Sequence, residues 1–352
     1  MNLAELRLEH VRCLSRAELT LHPRLNLITG ANGAGKTSLL EAVYLLGRGR
    51  SFRTRHTEQL IQGGTEGLWV AAGLVAGAAV RMDLQCHKRD GVVARIDGRP
   101  VTSFAELSEV LPVQVIEPGI HRLIEEGPAR RRWLDWAVFH VEPGFVGQWQ
   151  GYMRSLRQRN AALRGAGEGD PLPWEVQLAG LGEALTAARA RVLEAVQPYL
   201  QEMLDALDAA PATWGFEPGW PSAVPLGTQL ARQRERDRQR GYTGPGPHRF
   251  DVAIRMGGRP AREVISRGQQ KVLGAAMTVA LAHYLARAAG RPPTLLLDDP
   301  AAELDAAHTE RLMSAVLALG SQCVVTVLKP ESLPAAMPDR VFHVEHGGVK
   351  QL

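Results

Sequence analysis

The sequence is short of the features that mark several classes of protein. Its three cysteines, Cys13, Cys86 and Cys323, stand far apart with no C-x-x-C pair, which excludes a disulfide framework and a zinc site of that kind. No run approaches the roughly 18 consecutive apolar residues of a membrane span. The opening MNLAELRLEH is charged too early for a secretory signal, so a cytoplasmic protein with no membrane partner is expected. Aromatic residues make up only 5% of the chain, and the excess of one charge over the other is small as well: a net +4 tolerates an anionic partner without demanding one. No internal repeat is present, and no helical stretch is long enough for an extended coiled-coil arm. What remains, 352 residues of which 45% are hydrophobic, has ample material for a buried core and about two domains by length.

Against that plain background one stretch carries chemistry. LITGANGAGKTSLLEA, residues 27–42, fits G-x-x-x-x-G-K-[ST] between a short apolar strand, RLNLIT, and a helix whose apolar residues include Leu39, Leu40, Val43 and Leu46. The glycines at 30, 33 and 35 allow the loop Gly30, Ala31, Asn32, Gly33, Ala34, Gly35 to turn its backbone N–H groups around a phosphate, and the helix N-terminus adds its dipole there. Lys36 then reaches the terminal phosphates of ATP and Thr37 offers its hydroxyl to Mg²⁺.

A phosphate loop that works with Mg²⁺ needs a carboxylate. PPTLLLDDPAAELD (292–305) reads as a buried strand with Asp298 and Asp299 at its carboxyl end, Asp298 suited to the metal and Asp299 to polarising an attacking water. The plainer reading is a strand ending in solvated acids. Lys36 and Asp298 stand near opposite ends of the chain, yet both would have to touch one nucleotide, which predicts an inserted domain. Just before the acidic strand, VISRGQQKVLGAAMTVALAHYLA (264–286) reads as a helix with Leu273, Met277, Ala280 and Leu281 on one face. Ser266 is a helix cap on its own terms. In the order phosphate loop, insertion, S-x-G-Q, acidic strand, AELD, the whole resembles the ATP-binding cassette ATPases. That resemblance implies that Ser266, Gly268, Gln269 and Gln270 present a helix N-terminus to the γ-phosphate held by a second protomer, and that residues 301–305 line the dimer interface.

The resemblance then narrows. GPARRRWLDWAV, GPHRFDV, ISRGQQK and LLLDDPAAELD, together with the segment from Leu6 to Arg53, look like the RecF family of bacterial recombination mediators, related to SMC heads. It implies an α/β fold, a P-loop head of the ATP-binding-cassette type with an inserted helical lobe. It further implies an ATP-dependent homodimer, gapped, duplex or junction DNA as ligand, and RecO and RecR as partners in loading RecA. Two readings from other classes, a transporter ATPase subunit and a small-molecule kinase, fit less well. The strand CVVTVL lacks the switch histidine of transporters, leaving Thr326 as a partial substitute, and a monomeric kinase needs no signature helix. A third reading makes ATP purely structural.

Some positions depart from the family pattern. Phe250 follows GPHR where an acid is usual, EPGIHRL (117–123) lacks the acidic pair, and Asp299 is shorter than the glutamate of fast cassette ATPases. Weak hydrolysis, with nucleotide as a dimerisation switch, is therefore expected. Gln114 is open to two readings, a γ-phosphate sensor or a plain strand residue. The expected lobes are 1–117 with 243–352, and an inserted helical lobe at 118–242. RFDVAIRM (249–256) and REVI (262–265) are expected as strands joined by Gly257-Gly258, and glycine–proline clusters at 165–173 and 211–226 as breaks. Two basic stretches, Arg154, Arg157, Arg164 and Arg232, Arg236, Arg240, are either solvated faces or DNA phosphate contacts. No aromatic residues are interleaved with them, which favours duplex backbone over stacked single strands.

Overall fold

Alternation of apolar and polar residues builds the first sheet. In β1 (Asn2–Val11) Leu6 and Leu8 are buried and Arg7 is exposed, and β2 (Leu14–Thr20) repeats the pattern with Leu14, Ala17 and Leu19 inside. One packed face and one wetted face are what such alternation specifies in an antiparallel sheet. The sheet continues through β4 (Gly67–Ala76), β5 (Ala78–His87), β6 (Gly91–Ile96) and β7 (Arg99–Pro100), in the order β2-β1-β4-β5-β6-β7. Asp97 and Gly98, at φ 50° and 77°, form the tight turn between β6 and β7.

The second sheet has the opposite signature. β3 (Leu25–Thr29), β12 (Thr294–Asp298) and β13 (Cys323–Val327) are buried at every position, as strands of a parallel sheet covered on both faces must be. With β8 (Val113–Ile116), β14 (Arg340–Glu345) and the antiparallel edge β15 (Gly348–Gln351) the order is β15-β14-β3-β13-β12-β8. Helix α1 (Lys36–Arg48) lies between the two sheets: Leu39, Leu40, Val43 and Leu46 share one core with Leu6 and Leu74 of the first and Ile28, Leu296 and Val324 of the second. Helix α2 (Phe104–Val110) opens on a capping box made by Ser103 and Glu106. A later helix, α9 (Arg267–Ala288), is buried almost all round, and Gly274 passes so close to the Ile120 carbonyl that an added Cβ would lie 2.8 Å from that oxygen.

The computed structural model describes residues 2–76, 78–165, 172–333 and 337–352. The chain divides into a unit made of Met1–His121, Glu202–Ala209 and Ser266–Leu352, and a unit made of Arg122–Gln201 and Ala210–Ile265. The second unit holds α3 (Arg122–Glu125), α4 (Gly127–Val141), α5 (Phe145–Arg164), most of α6 (Leu172–Ala206), β9 (Thr213–Glu217), α7 (Leu226–Arg240), β10 (Asp251–Met256), β11 (Arg259–Pro260) and α8 (Ala261–Val264). The short helix α10 (Pro300–Glu303) and α11 (Ala306–Ala318) connect β12 to β13 in the first. Among the described residues no helix is long and apolar enough to cross a membrane.

Two expectations shift. The inserted lobe begins at Arg122 rather than 118, is interrupted by Glu202–Ala209 of the first unit, and ends at Ile265 rather than 242, because β10 pairs with β9 from Asp251↔Glu217 to Arg255↔Thr213 and so draws residues 243–265 into the second unit. REVI is not a strand: Pro260 ends the ladder by having no N–H to donate, and the chain turns directly into α8. The expected break at 165–173 falls largely outside the described residues.

The GPHR segment is part of the packing of the second unit. His248, from GPHR, is packed with its Nδ1 2.7 Å from the Tyr152 hydroxyl and its Nε2 3.3 Å from the Thr243 carbonyl, an arrangement that the neutral ring satisfies on both sides. Burial pushes its pKa down to about 4, reinforced by Arg249, Arg131 and Arg159 against the opposing bond to Thr243. Because the folded pKa lies below the unfolded one, stability is unaffected above pH 6.5. It falls as the unfolded chain takes up a proton, and the loss is complete below about pH 4, on the order of 3 kcal/mol. Urea unfolding of wild type and His248→Gln between neutral and acid pH is expected to show this component only in the wild type; identical pH dependence would refute it.

Candidate functional site

The site is assembled at the carboxyl edge of three parallel strands. β13 lies between β3 and β12 with Ile28, Thr326 and Asp298 in register, so the loop that leaves β3 and the acids that end β12 come to one edge of the sheet. Thr37 and Asp298 are 261 residues apart in sequence, and Thr37 Oγ1 donates to Asp298 Oδ1 at 2.9 Å and sits 3.1 Å from Oδ2. Thr326 Oγ1 donates to Asp298 Oδ1 at 2.8 Å. The backbone N–H of Asp299 donates to Thr326 Oγ1 at 3.0 Å and reaches the Thr326 carbonyl at 3.1 Å. One threonine thus fixes both acids. Asp299 adopts the left-handed conformation (φ 49°), which turns the chain out of the strand into α10.

The loop itself needs glycine where packing is closest. At Gly30 (φ 147°) an added Cβ would strike the Val344 carbonyl oxygen, and at Gly35 (φ 118°) it would lie 2.7 Å from Leu14 Cδ2. Ala31, Asn32 and Gly33 are exposed, and the N–H of Ala34 closes the loop on the Ala31 carbonyl at 3.2 Å. Lys36, 7% exposed, folds back so that Nζ donates to the carbonyls of Gly30 at 2.7 Å and Ala31 at 3.0 Å. Loop amides at the start of α1 suit a phosphate. The paired oxygens of Thr37 and Asp298 suit Mg²⁺, which takes one or two carboxylates and fills its remaining positions with phosphate oxygens and water.

Burial raises the pKa of both acids. For Asp298 the hydrogen bonds from Thr326 and Thr37 and the charge of Arg53 oppose it, while Asp299 adds to it. For Asp299 the Lys36 ammonium opposes and Glu303 adds. A carboxylate raised in this way is a stronger proton acceptor.

Ser266 makes the cap that its sequence context predicts. Its Oγ accepts from the Gln269 backbone N–H at 3.3 Å while Gln269 Oε1 accepts from the Ser266 N–H at 2.9 Å, a reciprocal capping box. Ser266, Gly268 and Gln269 are exposed and Gln270 is buried. This group is therefore not drawn into the cluster of Lys36, Thr37, Asp298 and Asp299 by any hydrogen bond among the described residues. Gln114 lies inside β8 opposite Leu295, three residues short of the level of Asp298, or roughly 10 Å along the strand. Phe250 belongs to the packing of the second unit, with the Arg189 guanidinium 3.8 Å from its ring centroid. The acid one residue on, Asp251, is held bidentately by Arg130 at 3.0 and 2.7 Å.

Two supports were not foreseen from the sequence. Glu41, fully buried in α1, binds Arg12 Nε at 2.7 Å and Nη2 at 3.0 Å and accepts from Ser51 Oγ at 2.5 Å, tying the helix that carries the loop to the β1–β2 turn. A lone acid in the otherwise apolar run SLLEAVYLL was the available signal. Lys271 of α9 pairs with Glu303 Oε2 at 2.5 Å, linking the helix that follows Ser266 to the segment that follows Asp299; nothing in the sequence marks it.

The sequence profile described as the RecF/RecN/SMC N terminal domain matches residues 2–350. DNA replication and repair protein RecF of Thioalkalivibrio sulfidiphilus is 39% identical over 360 residues, covering 99% of each chain. Its counterpart in Pseudomonas aeruginosa is 37% identical over 362 residues, covering 100% of this chain and 98% of that one. Among solved structures, the recombination mediator protein RecF with ATP, of the RecFOR pathway, superposes with a TM-score of 0.89 at 25% identity, covering 100% of this chain and 97% of that one. An Smc head bound to the C-winged helix domain of ScpA superposes at 0.61 with 16% identity, covering 100% and 97%, a likeness of fold alone. Matches that run from one end of the sequence to the other at this identity, over the same fold, mean that this chain belongs to the RecF family.

Proposed function

We propose that this protein is an ATP-dependent DNA-binding recombination mediator of the cytoplasm that uses ATP as a dimerisation switch. The observation that carries the reading is the hydrogen bond from Thr37 to Asp298 at 2.9 Å, which joins the phosphate loop to the acidic strand. The solved relative with bound ATP supports the nucleotide. In this reading residues 30–37 hold the phosphates, Lys36 exchanges its loop carbonyls for terminal phosphate oxygens, and Thr37 and Asp298 hold Mg²⁺, which would supply charge neutralisation on the phosphates. Asp299 takes a proton from water as the water oxygen bonds to the γ-phosphorus and the bond to the bridging oxygen breaks, releasing ADP and phosphate. Ser266, Gly268, Gln269 and Gln270 of a second protomer cap the γ-phosphate, as the exposed cap and the N-terminus of a long helix suit an anion.

The dimer forms on ATP and lapses on slow hydrolysis, because a ligand that binds one state better shifts the population toward it. DNA, gapped or duplex, is the substrate surface, and RecO and RecR are the partners through which RecA is loaded; the relative's place in the RecFOR pathway supports these assignments. Sedimentation in ATP, ADP and no nucleotide, paired with hydrolysis assays with and without duplex DNA, tests the reading. A dimer in ATP alone with DNA-stimulated turnover is expected. A monomer throughout, or turnover indifferent to DNA, would overturn it.

A further inference from the structure

We infer that the face formed by α5 and α7 of the second unit is a contact surface for the phosphate backbone of duplex DNA; this rests on the DNA-binding reading above. Arg154, Arg157 and Arg164 on α5 and Arg232, Arg236 and Arg240 on α7 are all exposed, and among the described residues none of these side chains has an ion-pair partner. Arg232, Arg236 and Arg240 recur every four residues and so share one helical face; Arg157 and Arg164 share another, with Arg154 one turn before. At 1.5 Å per residue the rows extend about 12 and 15 Å, the rise of roughly four phosphates of one DNA strand.

The interior explains why the outside is left positive. Helix α5 contains no acid at all. Of the two acids of α7, Asp237 is fully buried and accepts from Arg159 Nη1 at 2.8 Å. Arg159, itself fully buried, also donates to Thr243 Oγ1 at 2.8 Å and to Glu175 of α6 at 2.9 Å, and Arg234 takes the other Glu175 oxygen at 2.6 Å. Among the described residues, Glu175 and Asp237 are thus held inside by Arg159 and Arg234 and Glu183 accepts from the Leu226 N–H at 2.9 Å, while Glu235, the exposed acid of α7, lies 3.8 Å from Arg238. A buried charge network of this kind fixes geometry more than it adds stability. Here it holds α5 and α7 side by side: the Thr243 N–H donates to Asn160 Oδ1 at 2.7 Å, and the Arg164 stem lies against Gly241.

The chemistry favours duplex over single strand. The exposed aromatics nearest the rows are Trp149 and Tyr242, each 41% exposed. Trp149 precedes the first arginine by more than a turn, and Tyr242 follows the last with the Arg249 guanidinium 5.5 Å from its ring centroid. Neither is interleaved with the arginines as a stacking platform would require, whereas guanidinium rows suit phosphate oxygens.

Binding of a short labelled duplex to the ATP-loaded protein, titrated against salt, tests this with R154A/R157A/R164A, R232A/R236A/R240A and the matching Arg→Lys triples. Each alanine triple is expected to flatten the log–log salt slope by about 2.7, so that between roughly 50 and 200 mM salt it loses about 40-fold less affinity than the wild type. The lysine triples keep the slope, and all variants keep ATP-driven dimerisation. A wild-type slope in both alanine triples would overturn the surface while leaving DNA binding in place; tighter binding of a length-matched single strand would overturn the choice of duplex. Failure of the wild type to bind duplex would instead overturn the DNA-binding reading itself.

Discussion

Asp299→Asn is expected to bind ATP normally, to turn over at least roughly 10²-fold more slowly, and to persist as a dimer long after the wild type has dissociated. The substitution is sterically mild, because asparagine adopts the left-handed conformation of Asp299 (φ 49°) about as readily as aspartate. The bonds that fix this residue to Thr326 use its backbone N–H, so the turn from β12 into α10 stays. What is lost is the carboxylate whose pKa burial raises. Asp298, which receives the hydroxyls of Thr37 and Thr326, is untouched. Single-turnover hydrolysis and sedimentation in ATP read the two halves of the prediction. Normal hydrolysis would remove Asp299 from the water-activating role, and an ATP-bound monomer would break the link between nucleotide and dimer.

The features legible in the sequence are those written in local pattern. GANGAGKT specifies its own loop because glycine is required at Gly30 and Gly35 by contacts of the backbone with Val344 and Leu14. TLLLDD specifies a buried parallel strand with acids at its end, and S-x-x-Q specifies the capping box of Ser266. What stayed hidden depends on distant pairing. Nothing in CVVTVL says that Thr326 stands beside Asp298, since that follows from β13 entering the sheet between β3 and β12. The lobe boundary is hidden for the same reason: β10 belongs with β9, and only the pairing of Asp251 with Glu217 reveals it. Arg159 looks in the sequence like Arg157 and Arg164, yet it is fully buried while they are exposed. Which arginine of a basic helix turns inward is decided by acids supplied from other helices, here Glu175 and Asp237.

Mixing two inactive variants shows whether ATP is held between Lys36 of one protomer and Ser266 of the other. Lys36→Ala removes the ammonium now resting on the Gly30 and Ala31 carbonyls; Ser266→Arg places bulk and charge at the exposed capping box. Each homodimer carries two broken sites and is expected to be dead. In a mixed dimer both defects fall in one site, and the other pairs an intact loop with an intact cap. With random pairing half the dimers are mixed and each has one sound site, so mixing is expected to restore about a quarter of wild-type hydrolysis by symmetry. A mixture that stays dead, while each variant still dimerises with wild-type protein, would contradict a site shared between two chains.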